Sequence, residues 1–272
     1  MSSFPLSEFL VLLGLSLVGA LAILPYSFSL AGDRIAQSRF SRPTLALLSV
    51  VQSVVLMALA IGVGLLAARS VRLGAPYIEA ALAGAPLVGA IWELLAFSLG
   101  LAVLSFGLIA LLERFVFAPH VPPALRNSDA NMPVWKRLLA SFYGGLDEEI
   151  LMRLFLVSVL VWILGRFWQN GSGMPTNGAY WIAILLATLL FGLGHLPATR
   201  SLTPLTPMLI LRALMLNGVA GIAFGWLYWR YGLEAAMLSH FCADLLLHGL
   251  GPMFVRHIYG NAPNSAASAD AR

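Results

Sequence analysis

Seven long apolar stretches, at residues 8–31, 44–68, 94–118, 138–164, 179–197, 206–229 and 233–254, constrain this 272-residue chain more than any other feature. A bilayer-crossing helix needs roughly 20 mainly apolar residues. A soluble core cannot hide this much apolar surface, with hydrophobic residues at 60% and charged residues at 10%. The expected fold is all-α, a polytopic membrane helix bundle of seven or eight transmembrane helices. The doubt over number comes from residues 75–91, which are apolar but short and carry Glu79 and Pro86. They read as a re-entrant or interfacial helix, or as an eighth span.

Polar stretches at 31–43, 118–137 and 169–178 read as loops, and the small, polar segment from 261 to 272 as a disordered tail. The N-terminus lacks Lys and Arg, so it does not resemble a cleavable signal peptide, and the first apolar run reads as a retained span. The single cysteine, Cys242, excludes an intramolecular disulfide framework. The 16 basic and 12 acidic residues are too sparse for a nucleic-acid face. They bear on orientation instead, because cytoplasmic loops carry an excess of Lys and Arg. With seven spans and the N-terminus outside, ten basic residues fall inside and four outside; eight spans give nine against five. Both arrangements put 118–137 in the cytoplasm. The expected location is the cell membrane, with lipid as the constant partner.

Within the fourth stretch lies GGLDEEILMRLFL (144–156). A carboxylate at the bilayer centre costs roughly 2.5–3.5 kcal/mol on insertion scales, so three adjacent acidic residues call for a function. Glu149 and Arg153 stand four apart and can pair on one helix face. Glu148 points elsewhere and is left available as a base. A buried ion pair that merely locks helix packing would explain Glu149 and Arg153 but not Glu148. His195 closes the fifth stretch, with Gly192 and Gly194 allowing close approach and Pro197 stopping the helix. A lone histidine at a helix end is commonly only a capping or interfacial residue. In the last stretch His240, Asp244 and His248 recur every four residues and form one polar stripe on an apolar helix. Cys242 falls on another face and reads as a small buried apolar group.

Taken together, Glu-Glu-x-x-x-Arg at 148–153, Phe-x-x-x-His at 191–195 and His-x-x-x-Asp at 240–244 resemble the three motifs of the CPBP family. That family holds the type II CAAX prenyl endopeptidases and bacteriocin-processing or immunity proteins. The resemblance covers roughly residues 138–248, and GIAFGWLYWRYGLEAAMLSHFCADL (221–245) is also similar to the family's last motif region. It implies an intramembrane endopeptidase acting on a membrane-associated protein or peptide, in a cavity open to the cytoplasmic side. By the resemblance, Glu148 activates water with help from His195, and Glu149 with Arg153 orients the helix. His240 and Asp244 stabilise the oxyanion. Asp244 stands where the prenyl endopeptidases usually carry Asn, so peptide hydrolysis is implied more firmly than prenyl-protein substrates. The chain divides accordingly into N-terminal helices (1–130), a catalytic core (131–257) and the tail (258–272).

A cofactor is left open: none, or zinc held by Glu148, His195 and His240. No His-Glu-x-x-His, Gly-x-Gly-Asp or Gly-x-Ser-Gly signature occurs. Three other readings compete. A transporter or channel could use the clusters as a proton or ion relay, but repeated halves are not evident. A lipid phosphatase would need a Lys/Arg-rich motif and a Ser-Gly-His segment, which are missing. A catalytically idle immunity or scaffold protein on the same fold is the third.

Overall fold

The computed structural model describes residues 4–259, and among these it is helical with no strand. The helices are α1 (Leu6–Ala22), α2 (Leu24–Leu30), α3 (Gly32–Ala36), α4 (Arg42–Ser70), α5 (Pro76–Leu82), α6 (Val88–Leu112) and α7 (Pro123–Asn131). They continue with α8 (Val134–Tyr143), α9 (Ser158–Leu164), α10 (Asn177–Gly194), α11 (Leu196–Leu202), α12 (Pro207–Tyr231) and α13 (Leu233–Tyr259). Between α8 and α9 the chain stays helical but widens into two π-helical runs, Gly144–Glu148 and Ile150–Val157.

Five helical segments are long and apolar enough to cross a bilayer: Leu6–Leu30, Arg42–Ser70, Ile91–His120, Asn177–Leu202 and Pro207–Tyr231. Their length and hydropathy mark the chain as an integral membrane protein. The stretch at 75–91 does not supply another span. Its helix, α5, has seven residues and is about 10 Å long, a third of the roughly 30 Å hydrocarbon core. The segment 118–137 is not a plain loop, because Pro123 starts the nine-residue α7. Pro197 likewise starts a helix rather than only stopping one, standing in the first turn of α11. The polar tail expected from residue 261 lies outside the described residues.

Lipid as solvent explains which faces are buried. In α4 the buried positions Met57, Ala60, Ile61, Gly64, Leu65 and Ala68 recur at helical spacing, while Leu48, Val51, Val55, Leu59, Val63 and Leu66 are exposed. Both faces are apolar, so the inner one is distinguished by small side chains and close packing. A Cβ on Gly64 would stand 2.7 Å from the Leu154 carbonyl oxygen, which lets α4 seat directly on the widened helix. Gly221 and Gly225, one turn apart on α12, do the same for Thr188 and Ile184 of α10. At the centre, α13 packs against α6, α8, α12 and the π-helical turn at 144–148. Ala235 and Ala236 are fully buried there, and Ser98 of α6 donates to the Ala235 carbonyl at 3.0 Å.

Close approach makes two glycines unequal. Gly64→Ala is expected to lower thermal stability in detergent by about 1–3 kcal/mol, since the backbone of Leu154 must move. Gly14→Ala, with nothing within 4 Å of the new methyl, should leave the melting temperature unchanged or raise it. Paired melting curves of the two variants check this.

Candidate active site

The acidic run sits where the helix is widest. π-Helical turns occur frequently at functional sites. Here they divide three successive carboxylates between two neighbours, α1 and α13. Asp147 faces α1, where Ser16 donates to its Oδ1 at 2.8 Å, and Gly19 on the next turn leaves room for its other oxygen. Glu148 and Glu149 both face α13.

Glu149 is fully buried and its Oε1 is the hub of the site. Nδ1 of His240 lies 2.6 Å from it and Nη1 of Arg153 2.9 Å. The expected pairing of Glu149 with Arg153 is therefore present. Arg153 is buried too, with Nη2 donating to the Gly221 carbonyl at 3.3 Å. Its guanidinium lies 5.5 Å from the Phe191 ring and 5.6 Å from the Phe224 ring. Phe224 also stacks on His240, centroid to centroid 4.8 Å. One cation is thus held by a carboxylate, a carbonyl and two aromatic faces, each compensating for lost water.

A carboxylate can only accept a hydrogen bond, so His240 donates from Nδ1 to Glu149. Its other nitrogen, Nε2, points away from that pair. Glu148 Oε2 and Asp244 Oδ2 each stand 3.8 Å from it. That is beyond direct hydrogen-bond range, yet close enough for one water or substrate oxygen to bridge the groups. Glu148 and Asp244 keep 24% and 18% of their side-chain surface accessible, against none for Glu149. The two glutamates thus bracket one imidazole, the inner locked and the outer accessible. Gly144 forms the wall beside this gap. A Cβ there would lie 2.5 Å from Asp244 Oδ2 and 3.1 Å from His240 Nε2.

His195 lies at the junction of α10 and α11. Its Nδ1 is 2.9 Å from the Phe191 carbonyl oxygen, which can only accept, so Nδ1 carries the proton and Nε2 is left as the acceptor. Its ring meets Phe191 edge-on at 4.7 Å, and Phe191 meets His240 at 6.2 Å. Glu148 is within electrostatic reach of His195, His240 and Asp244. All five residues singled out in the sequence, with Arg153, therefore surround one site. His248, the third residue of the stripe, turns instead to Ser141 of α8, with Nδ1 3.1 Å from the hydroxyl. Cys242 is partly buried against the core.

The sequence reading overlooked Gly144 and Phe224, and gave Asp147 no part beyond its place in the acidic run. The Gly-Gly pair beside an acidic run was a signal for close approach. The aromatic stacking on Phe224 had none. As for metal, no three His, Cys, Asp or Glu side chains among the described residues stand at the spacing of a ligand set. The nitrogen His240 could offer is Nε2, since Glu149 holds Nδ1.

The comparisons with known proteins bear on the segment that carries these side chains. Residues 130–246 match the type II CAAX prenyl endopeptidase Rce1-like family. The Rce1-like segment is less than half of the chain, and it contains all six residues just described. It begins near the start of α8 and ends in α13 just beyond Asp244. No match was found among curated proteins or among solved structures. The Rce1-like family is one of CAAX proteases that act within membranes.

Two substitutions separate the frame of the site from its reaction space. Arg153→Ala leaves Glu149 as a buried, half-paired charge and is expected to lower stability by about 3–5 kcal/mol, read by thermal unfolding in detergent. Gly144→Ala puts a methyl into the gap between His240 and Asp244. Peptide cleavage should fall by about 10²-fold or more, with the melting temperature changed far less than in Arg153→Ala.

Proposed function

We propose that this protein is an intramembrane endopeptidase that cleaves a peptide bond of a membrane-associated protein or peptide with water activated by Glu148. The observation that carries the reading is the gap bounded by Glu148, His240 Nε2 and Asp244, with both carboxylates 3.8 Å from the nitrogen.

The chemistry follows from the tautomers and burial. Water in the gap gives a proton to Glu148 while its oxygen bonds to the scissile carbonyl carbon. His195, with Nδ1 held by the Phe191 carbonyl, accepts through Nε2 and orients that water. Negative charge gathers on the carbonyl oxygen. The Glu149 carboxylate on Nδ1 fixes the ring of His240, so that protonated Nε2 is aimed at the oxyanion and donates to it. Asp244 steadies that imidazolium. Glu148 then hands its proton to the leaving nitrogen as the carbon–nitrogen bond breaks, which restores the carboxylate. Glu149 and Arg153 take no part in proton transfer and hold the frame. Every proton is moved by the chain's own groups, and the mechanism calls on no metal.

In this reading the chain crosses the cell membrane seven times, with 134–164 and α13 as spans beside the five long apolar helices. The cavity opens toward the cytoplasm, as the distribution of Lys and Arg favours. Lipid and the peptide substrate are the partners.

The test uses purified protein in liposomes with two peptide sets, farnesylated C-terminal CAAX peptides and unprenylated membrane-anchored peptides. Glu148→Gln keeps size and most hydrogen bonding but cannot take a proton. Activity is expected to fall by about 10²–10⁴-fold with folding retained. Full activity in Glu148→Gln would overturn the base assignment. Loss of wild-type cleavage on chelation, restored by zinc, would replace it with metal-assisted hydrolysis.

A further inference from the structure

Far from the glutamates, a cavity of about 730 Å³ opens between the C-terminal ends of α4 and α12, the short α5 and the start of α6. It shares no residue with the candidate active site. Six of the seven tryptophans, at 92, 162, 168, 181, 226 and 229, lie toward this end of the bundle. Such aromatic belts mark the level of lipid headgroups.

The wall of the cavity is unusually determined. Arg72 is the one non-glycine residue among the described residues with a left-handed backbone, φ 54°. Its neighbours fix it there: the Tyr180 hydroxyl donates to the Val71 carbonyl at 2.7 Å, and the Leu233 amide donates to the Gly74 carbonyl at 2.9 Å. Glu234 anchors the facing wall by accepting from the Ile78 amide at 2.7 Å. Residues held in sparsely populated conformations persist where the surroundings over-determine them, and they cluster at ligand clamps. The held residue presents an exposed guanidinium to the cavity. Arg230 presents a second, and neither forms an ion pair among the described residues. Arg69, by contrast, is committed to the buried Glu8 at 3.2 Å. The carboxylates of Glu79 and Glu93 line the same cavity.

We propose that this cavity binds the headgroup of a phosphatidylethanolamine-type lipid, its phosphate on Arg72 and Arg230 and its primary ammonium on Glu79 and Glu93. Two unpaired guanidiniums suit a phosphate. The carboxylates discriminate among phospholipids. They need N–H donors, which a primary ammonium supplies and a choline headgroup does not. A phosphatidylglycerol headgroup brings no cation at all. Position at the tryptophan belt favours a lipid over a soluble ligand, since the acyl chains then remain in the bilayer.

The experiment is lipid retention by the full-length protein, measured by native mass spectrometry after release from detergent carrying equal phosphatidylethanolamine, phosphatidylcholine and phosphatidylglycerol. Phosphatidylethanolamine should be retained about tenfold or more over the others, the value of a charge-assisted hydrogen bond or two. Arg72→Gly suits the backbone while deleting the guanidinium. It should lower retention of all three lipids about tenfold or more while the melting temperature in lipid-free detergent holds or rises. Glu79→Gln should level phosphatidylethanolamine with phosphatidylcholine. Equal retention of all three lipids by the wild type, or undiminished retention of phosphatidylethanolamine by Arg72→Gly, would overturn the proposal. So would displacement by free phosphoethanolamine at the concentration of the lipid, because the ligand would then be soluble.

Discussion

A fully buried carboxylate in a lipid-solvated bundle has to find its compensation inside the protein, and Glu149 organises the site by doing so. Water cannot relieve it, so a guanidinium one turn on and an imidazole from another helix converge on one oxygen. Satisfying that charge fixes the rotation of the π-helical segment against α13. It also fixes the ring of His240, and with the ring the direction of Nε2. Arg153, needed for neutrality, in turn calls up Phe191, Phe224 and the Gly221 carbonyl. The acidic segment, α10, α12 and α13 are thus tied through one ion pair, and Glu148 is left facing the gap.

The parts of this arrangement legible in the sequence were those with few physical explanations. Charges inside apolar runs are costly, so Glu148, Glu149, Arg153, His240 and Asp244 stood out, and the four-residue spacing of Glu149 and Arg153 named the pair correctly. Long apolar stretches likewise located the helices that hold the site. What stayed hidden depended on tertiary packing. An apolar α4 exposes one face to lipid and buries the other, and both faces consist of similar residues, so hydropathy could not tell them apart. The π-helical widening left no trace in the sequence, because the same residues at the same spacing would also suit an ordinary helix. Gly144 could be seen as a glycine, but its meaning rested on the side chains of α13 opposite it.

The bundle's small residues answer the same constraint from another side. With no solvent difference to drive one apolar helix onto another, close contact has to do it. Gly64 on the Leu154 carbonyl, and Gly221 with Gly225 on Thr188 and Ile184, are contacts of this kind. They bring α4 and α10 against the segment that carries the glutamates and against its neighbour α12. The N-terminal helices α1 and α4 therefore support the site directly, α1 through Ser16 on Asp147 and α4 through Gly64.

The π-helical segment makes this part of the chain sensitive to length in a way that its composition is not. Each π turn holds one more residue than an α turn between bonded groups. Losing a single residue between 144 and 157 would let the segment relax to α geometry. Every side chain beyond the deletion would then swing around the axis, and an acidic side chain would trade its place beside the imidazole for one toward lipid. Surface connections such as 169–176 can grow or shrink without that penalty. Across evolution, insertions and deletions are accordingly expected to collect in the connections and to be purged from the acidic helix, even where individual apolar residues in it drift freely.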